Sequence, residues 1–226
     1  MEAQELLAEQ ATYYRERAPE YDDWWFRRGR YDGGRTENQR WFDECAEVEA
    51  ALEAFAPRGR VLELACGTGL WTRHLARHAD HLTAVDQSPE VLALNRARLG
   101  DARVEYVEAD VFAWRPQEPY DVCVFGFWLS HVPEPHFDAF WDGVRESLVP
   151  GGRFFVVDSD RGDGIHSRSL DDEIELRRLA DGRAYRIVKR YYEARELERR
   201  LSELGWTASV SRTAGGSLLY AGGTRN

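Results

Sequence analysis

The chain has 226 residues, 43% of them hydrophobic and 31% charged, with a formal net charge of −10. This composition is that of a soluble globular protein with a substantial core, and the acidic balance argues against a nucleic-acid partner. No apolar run approaches ~20 residues, so we expect no membrane span, and the acidic, polar start predicts no secretory signal; a cytoplasmic protein is expected. Cys45, Cys66 and Cys123 are scattered without zinc-like spacing, which predicts reduced thiols and no metal site.

The first 56 residues predict a helical arm. A polar helix is expected over 2–18, ending before Pro19, and is followed by an aromatic stretch that runs to Phe26 and a basic, glycine-rich loop at 27–35. The aromatic side chains either dock on the core or line a pocket. A second helix is predicted over 36–55, with Thr36 and Glu37 able to cap its start.

Strand and helix patterns then alternate between residues 57 and 158. Near-continuous apolar strands indicate a parallel sheet covered on both faces, and right-handed crossovers give a doubly wound α/β fold with ligands at the carboxyl ends of the strands. Strands are predicted at 60–65, 81–86, 103–108, 120–126 and 153–158, and helices at 70–77, 88–99 and 137–148.

The pattern changes after residue 158. Residues 160–172 predict a mobile loop, and 174–191 predict an inserted hairpin around Asp181-Gly182 with a type I′ turn. A helix at 193–204, closed by Gly205, and strands at 206–212 and 217–221 complete the chain. We expect a single domain made of an arm (1–56), a core (57–158), an insertion (159–192) and a C-terminal part (193–226).

A glycine turn, Gly67-Thr68-Gly69, joins the first strand to a helix and is suited to holding a nucleotide close to the backbone. A dinucleotide fingerprint would need a third glycine at position 72, where Thr72 stands. The turn is instead preceded by Glu63 and followed by Asp86 at the end of the next strand. An NAD-dependent oxidoreductase therefore remains only a distant alternative.

Further motifs follow in order: Ala-Asp-Val at 109–111, Tyr-Asp-Val at 120–122 and Leu-Val-Pro-Gly-Gly-Arg at 148–153. Together with the glycine turn they resemble the class I S-adenosylmethionine-dependent methyltransferases. The resemblance implies a Rossmann-like seven-stranded sheet with an antiparallel last strand, and S-adenosylmethionine as cofactor.

The resemblance can be narrowed to a bacterial group of small-molecule methyltransferases that includes the phosphonate O-methyltransferase of dehydrophos biosynthesis. The segments that resemble this group are 13–22, 127–133, 137–141 and 181–189. The resemblance implies that Tyr14 and Tyr21 close over the cofactor. The sequence departs from that enzyme at 24–36, a segment expected to contact the substrate.

An ionised carboxylate such as Asp86 can accept hydrogen bonds from both ribose hydroxyls, and Asp110 suits the adenine amino group. Each aspartate could alternatively cap a helix. The resemblance and this chemistry give the expected cofactor residues: Tyr14, Tyr21, Glu63, Ala65, Gly67, Gly69, Trp71, Thr72, Asp86, Gln87, Asp110, Val111 and Phe127.

Methyl transfer from a sulfonium is an in-line displacement that depends mainly on alignment. His131 is the candidate catalytic residue, either as a general base or by positioning the acceptor; capping or packing is its structural alternative. An anionic acceptor, a phosphonate or carboxylate, would need no base and would be held by arginine forks. Candidate substrate residues are Trp25, Arg28, Arg30, Tyr31, Arg178 and Arg183.

The expected partner is thus a small molecule methylated on oxygen, with a homodimer as a further possibility. Methylation of nitrogen, sulfur or carbon is an alternative, and so is a protein that binds adenosylmethionine without turnover. Trp24 and Trp25 would wall an aromatic acceptor or belong to the core.

Overall fold

The computed structural model describes residues 3–100, 103–160 and 173–226. In these ranges no helix is both long and apolar enough to cross a bilayer. The helices are Ala3–Arg17 (α1), Asp22–Trp25 (α2), Arg35–Phe55 (α3), Thr72–Leu75 (α4), Pro89–Leu99 (α5), Phe137–Glu146 (α6) and Ala194–Glu203 (α7). The strands are Arg60–Leu64 (β1), His81–Asp86 (β2), Val104–Glu108 (β3), Tyr120–Gly126 (β4), Leu148–Ser159 (β5), Ile174–Arg178 (β6), Ala184–Val188 (β7), Trp206–Arg212 (β8) and Leu218–Arg225 (β9).

Seven strands form one sheet in the order β3-β2-β1-β4-β5-β9-β8. The strands from β3 to β5 are parallel, and β9 runs antiparallel to both β5 and β8. The strand order reverses between β1 and β4, where a doubly wound sheet opens a crevice at its carboxyl edge. The predicted Rossmann-like sheet with an antiparallel last strand is therefore confirmed.

The sheet is buried on both faces, and most positions of its central strands are apolar. In β4, Cys123 and Phe125 face a core that includes α6 and α7, whereas Val122 and Val124 face a core that includes α3, α4 and α5. This alternation of adjacent side chains between two cores explains why the strand lacks polar alternation.

The arm and the inserted hairpin β6–β7 pack against each other. Glu9 pairs with Arg186 of β7 at 2.6 Å, and Tyr13 is buried against Leu179 and Ile187. α1 and the hairpin thus form one layer, which lies over the carboxyl edge of the sheet.

The start of α3 differs from the prediction. α3 begins at Arg35 with Gly34 as its N-cap and no side-chain cap, so the predicted cap at Thr36 is wrong. Asp32 instead accepts from the Gly34 N–H at 2.8 Å.

The hairpin is confirmed, but its turn is not type I′. The Leu179 N–H donates to the Arg183 carbonyl at 2.9 Å, and only Gly182 of the intervening loop has a positive φ, 90°, whereas type I′ needs two such residues.

The helix after the glycine turn is shorter than the predicted span of 70–77. The Arg77 and His78 N–H groups donate to His74 and Leu75, three residues back, so the chain tightens out of α-geometry at that end. Most of the predicted mobile loop, 161–172, lies outside the described residues.

Candidate active site

The glycine turn is fixed by its backbone conformation and by its contacts with Asp86 and α5. Gly67 and Gly69 have φ values of 53° and 89°, and a Cβ at position 69 would lie 2.6 Å from Asn95 Oδ1. The Gly67 N–H donates to Asp86 Oδ2 at 3.0 Å. Glycine is therefore required here by backbone conformation and by the close approach of α5.

Asp86 ends β2 beside this turn. Its second oxygen, Oδ1, accepts from the Ser88 N–H at 3.0 Å. Burial raises the pKa of the Asp86 carboxyl, while the backbone N–H groups act in the opposite direction. Each oxygen retains a lone pair that a ligand hydroxyl can use.

A cleft of about 630 Å³ opens at this point, and we call it the edge cleft. It runs along the carboxyl ends of β1, β2 and β4 beneath α1. Its lining consists of Ala11, Tyr14, Tyr21, Ala65, Gly67, Asp86, Gln87, Ser88, Val91, Val111, Gly126, Phe127, Trp128 and His131.

A smaller recess of about 300 Å³, the loop recess, lies beside the glycine turn and is lined in part by Glu63, Trp71 and Tyr21. Glu63 is 2% exposed, and its Oε2 atom has no hydrogen-bond partner. Burial raises the pKa of Glu63 to about 8, opposed by a hydrogen bond from Thr72. An unpartnered buried carboxyl oxygen at a cavity suits a ligand ammonium group.

These groups fit S-adenosylmethionine, because the Asp86 carboxylate suits a ribose diol and the Glu63 carboxyl suits an ammonium group. Tyr21 and Phe127 line both the edge cleft and the loop recess, and Tyr14 lines the edge cleft; these aromatic side chains suit a sulfonium cation.

A third space of about 700 Å³ adjoins the edge cleft, and we call it the basic cavity. It contains Arg17, Arg27, Arg177 and Lys189 together with aromatic and hydroxyl groups. Its full lining is Tyr14, Arg17, Tyr21, Trp24, Arg27, Tyr31, Phe127, His131, Ser159, Arg177, Lys189 and Tyr191.

The positive charge of the basic cavity is only partly balanced. Lys189 pairs with Asp158 at 3.2 Å, and Arg177 pairs with Glu175 at 2.6 Å. Within the described part of the chain, Arg17 and Arg27 have no carboxylate partner, although Arg17 is only 8% exposed. The Nε atoms of Arg17, Arg27 and Arg177 are buried without hydrogen-bond partners. Buried guanidinium groups normally have counter-charges, so this cavity is suited to an anion.

Four residues line both the edge cleft and the basic cavity: Tyr14, Tyr21, Phe127 and His131. Phe127 adopts a left-handed conformation with φ 56°, and its N–H donates to the Val157 carbonyl at 2.7 Å. Strained backbone of this kind persists where the surroundings fix it. A group transferred between ligands in the two spaces would pass this shared wall.

His131 is fully engaged within the protein. Its Nδ1 lies 2.6 Å from the Val188 carbonyl, and its Nε2 lies 2.7 Å from the Tyr14 hydroxyl. Burial, followed by the nearby Lys189 charge, lowers the pKa of His131 to about 3. The imidazole is therefore neutral, with neither ring nitrogen facing a cavity unpartnered.

Most of the predicted cofactor residues line the edge cleft or the loop recess; Gly69, Thr72 and Asp110 do not. Gly69 shapes the turn, Thr72 bonds Glu63, and Asp110 is exposed and accepts from the Phe112 N–H at 2.9 Å.

Of the predicted substrate residues, Tyr31 alone lines the basic cavity. Trp25 is 3% exposed and belongs to the core, Arg28 lies over Phe26, and Arg30 pairs with Glu20. Arg178 donates to the Gly182 carbonyl at 3.4 Å. Arg183 pairs with Asp181 and Glu16.

Trp24, which was expected either to wall an acceptor or to belong to the core, lines the basic cavity. Sequence reasoning missed the residues that supply the cavity's charge and part of its wall: Arg17, Arg27, Arg177, Lys189 and Tyr191. One signal was available, since Lys189 is the only lysine among 30 basic residues. No group of three or more His, Cys, Asp or Glu side chains in 3–100, 103–160 and 173–226 could hold a metal ion.

Comparison with known proteins gives matches at two levels. A family model described as a methyltransferase domain matches residues 61–152, the segment that carries the glycine turn and Asp86. Solved structures of DhpI are similar over almost the whole chain. The complex with SAM and HEP is 37% identical, with 99% of each chain covered and a TM-score of 0.84, and the SAH complex is 38% identical, with 98% covered and a TM-score of 0.82.

The curated relatives match over a shorter region. The ubiquinone biosynthesis O-methyltransferase of Xylella fastidiosa is 37% identical over 108 residues, which are 45% of this chain and 42% of that protein. The demethylmenaquinone methyltransferase of Clavibacter sepedonicus is 36% identical over 113 residues, 48% of this chain and 45% of that protein. The matches thus span less than half the length of these relatives.

Proposed function

Because the chain belongs to the class I S-adenosylmethionine-dependent methyltransferases, we propose that it methylates an oxygen atom of a small, doubly charged anion such as a phosphonate. The observation that carries this proposal is the basic cavity, where, in the described part of the chain, two of the four lining cations are paired with carboxylates and two are not. A dianion would balance the two remaining charges. All the residues involved come from one chain, so the proposal requires no homodimer.

On the cofactor side, Asp86 would accept from the ribose hydroxyls and Glu63 would face the amino group of S-adenosylmethionine. When bound, this cofactor supplies an electrophilic methyl group on a good leaving group. The protein's own contribution is to place that methyl group at the shared wall and to exclude water from it.

On the acceptor side, Arg17 and Arg27 would form bidentate bonds to the anion, since a guanidinium fork matches the spacing of carboxylate and phosphonate oxygens. Trp24, Tyr31 and Tyr191 would flank the remainder of the acceptor. A carboxylate or phosphonate is already ionised at neutral pH, so no general base is required. The neutral, fully bonded state of His131 agrees with such an acceptor.

The reaction can be tested with methyl-labelled S-adenosylmethionine and a matched panel of phosphonates, dicarboxylates, monocarboxylates and neutral alcohols. We expect S-adenosylhomocysteine and labelled methyl esters, detected by mass spectrometry, with dianions as the best acceptors. Preferred methylation of amines, thiols or carbon acids would contradict the proposal and favour the alternative acceptor atoms. Cofactor binding without transfer to any acceptor would favour a binding protein.

The variant Arg17→Met tests the basic cavity directly. We expect the acceptor KM to rise at least about tenfold, because a hydrogen bond to a charged group contributes roughly 1.5–3 kcal/mol. Cofactor affinity should stay close to that of the unaltered protein. Arg28→Met is the matched control, since Arg28 lies on the same arm but outside the cavity; equal effects of the two substitutions would refute the role of Arg17.

A further inference from the structure

The hydrogen bond between Tyr14 and His131 has a defined direction. A carbonyl can only accept, so the contact of 2.6 Å with the Val188 carbonyl places the imidazole proton on Nδ1. A neutral imidazole then has a lone pair at Nε2, and the Tyr14 hydroxyl, 2.7 Å away, must be the donor.

This direction determines which part of the Tyr14 hydroxyl is available to a ligand at the shared wall. Burial raises the pKa of the Tyr14 phenol well above its usual value, so the hydroxyl keeps its single proton, and that proton is used by His131. The Tyr14 oxygen therefore has only lone pairs left for a ligand. Such an oxygen favours a cation next to it and disfavours an anion.

Resting on the function proposed above, we propose that Tyr14, oriented by His131, turns its oxygen lone pairs toward the sulfonium end of S-adenosylmethionine and so discriminates this cationic donor from its neutral thioether product. Tyr14 is the residue that contacts the cofactor, and His131 is a positioning residue that acts through it. The shared wall is the place for this contact because methyl transfer has to occur between the edge cleft and the basic cavity.

The surroundings of His131 hold this arrangement. Gln10, one turn before Tyr14 on α1, donates to the His131 carbonyl at 3.2 Å and accepts from the Val188 N–H at 2.9 Å. The charged groups that face the imidazole are Lys189 and Arg177, which disfavour its protonation, and Asp158, which favours it. Because Asp158 already pairs with Lys189, the neutral form with its Nε2 lone pair persists.

The test is the ratio of the dissociation constants for S-adenosylmethionine and S-adenosylhomocysteine, measured by titration calorimetry on the full chain. We expect Tyr14→Phe to weaken binding of the sulfonium roughly two- to fivefold more than binding of the thioether, the size of one weak C–H···O contact. Tyr13→Phe is the matched control, since Tyr13 packs against the hairpin outside both spaces, and its ratio should equal that of the unaltered protein.

The positioning role is tested with His131→Ala, which frees the Tyr14 hydroxyl to rotate. We expect the same change in ratio as for Tyr14→Phe, and no further change in the double variant. An unchanged ratio in Tyr14→Phe would overturn the inference while leaving the proposed function in place. A normal ratio in His131→Ala, with circular dichroism showing a folded protein, would overturn the role of His131. Failure of the unaltered protein to bind either ligand would overturn both proposals.

Discussion

At the scale of single residues, Glu63 is the group whose charge state should change most on cofactor binding. It is buried at the loop recess with an unpartnered oxygen. Because burial raises the pKa of Glu63 to about 8, the ligand-free protein holds a proton there at neutral pH. An ammonium group placed beside it favours the ionised carboxylate and expels that proton.

We therefore predict that S-adenosylmethionine binding releases protons at pH 7 and tightens as pH rises toward about 8. The sign follows from proton linkage. The cofactor-bound protein has the lower Glu63 pKa and therefore holds fewer protons, so raising the pH favours binding until the pH reaches the Glu63 pKa of the free protein. Calorimetry in two buffers of different ionisation enthalpy measures the release. Glu63→Gln should remove it, whereas Glu90→Gln, at the surface, should not; equal release from both variants would refute the prediction.

Sequence reasoning selected Glu63 and Asp86 because both flank one local turn, and both line the spaces beside that turn. It selected Arg178, whereas Arg177 is the residue that lines the basic cavity, and the reason is physical. Adjacent strand residues point to opposite faces, and the sequence does not reveal which face of an exposed two-stranded hairpin meets the arm. Residues that meet only through tertiary packing, such as Arg17 and Lys189, had no local pattern to mark them together.

At the scale of elements, α2, the glycine turn and α5 are joined by three side chains. The Thr68 hydroxyl donates to Asp22 Oδ1 at 2.6 Å. Arg98 of α5 pairs with Asp22 and donates to the Thr68 carbonyl at 2.7 Å. Asp22 thus fastens the arm to the turn that would hold the cofactor, an arrangement that links residues far apart in sequence.

We predict that Arg98→Met weakens cofactor binding by about 1 kcal/mol, roughly fivefold, at the upper end for a partly exposed ion pair. The loss arises because the arm, which supplies Tyr14 and Tyr21 to the edge cleft, is held less firmly. Arg96→Met on the same helix is the control, since Arg96 lies over Tyr106 away from the arm. Dissociation constants measured for both variants decide the question, and equal values would contradict a fastening role for Arg98.

At the scale of the whole molecule, the basic cavity is assembled from the arm, the hairpin region and the core. Arg17, Trp24 and Arg27 come from the arm, Arg177 comes from β6, and Lys189 directly follows β7. Of the shared wall, Tyr14 and Tyr21 come from the arm, and Phe127 and His131 come from the loop after β4. The alternating strand and helix pattern predicted the core correctly because each crossover is local. The cavity could not be predicted, because it exists only where three separate parts of the chain meet.

This construction predicts that cofactor and acceptor bind cooperatively. A ligand in the edge cleft holds the arm in place, and the arm completes the basic cavity. The first ligand to bind therefore supplies the free energy needed to order the arm, and the second ligand does not have to. We expect methylphosphonate to bind at least about fivefold more tightly when S-adenosylhomocysteine is present, and the reverse titration must give the same factor. Calorimetry with each ligand alone and with both measures this coupling. Arg98→Met should raise the factor more than Arg96→Met does, because a less firmly held arm costs more to order and, of the two arginines, Arg98 is the one that contacts Asp22. Independent binding of the two ligands would show that the basic cavity is complete before the cofactor arrives.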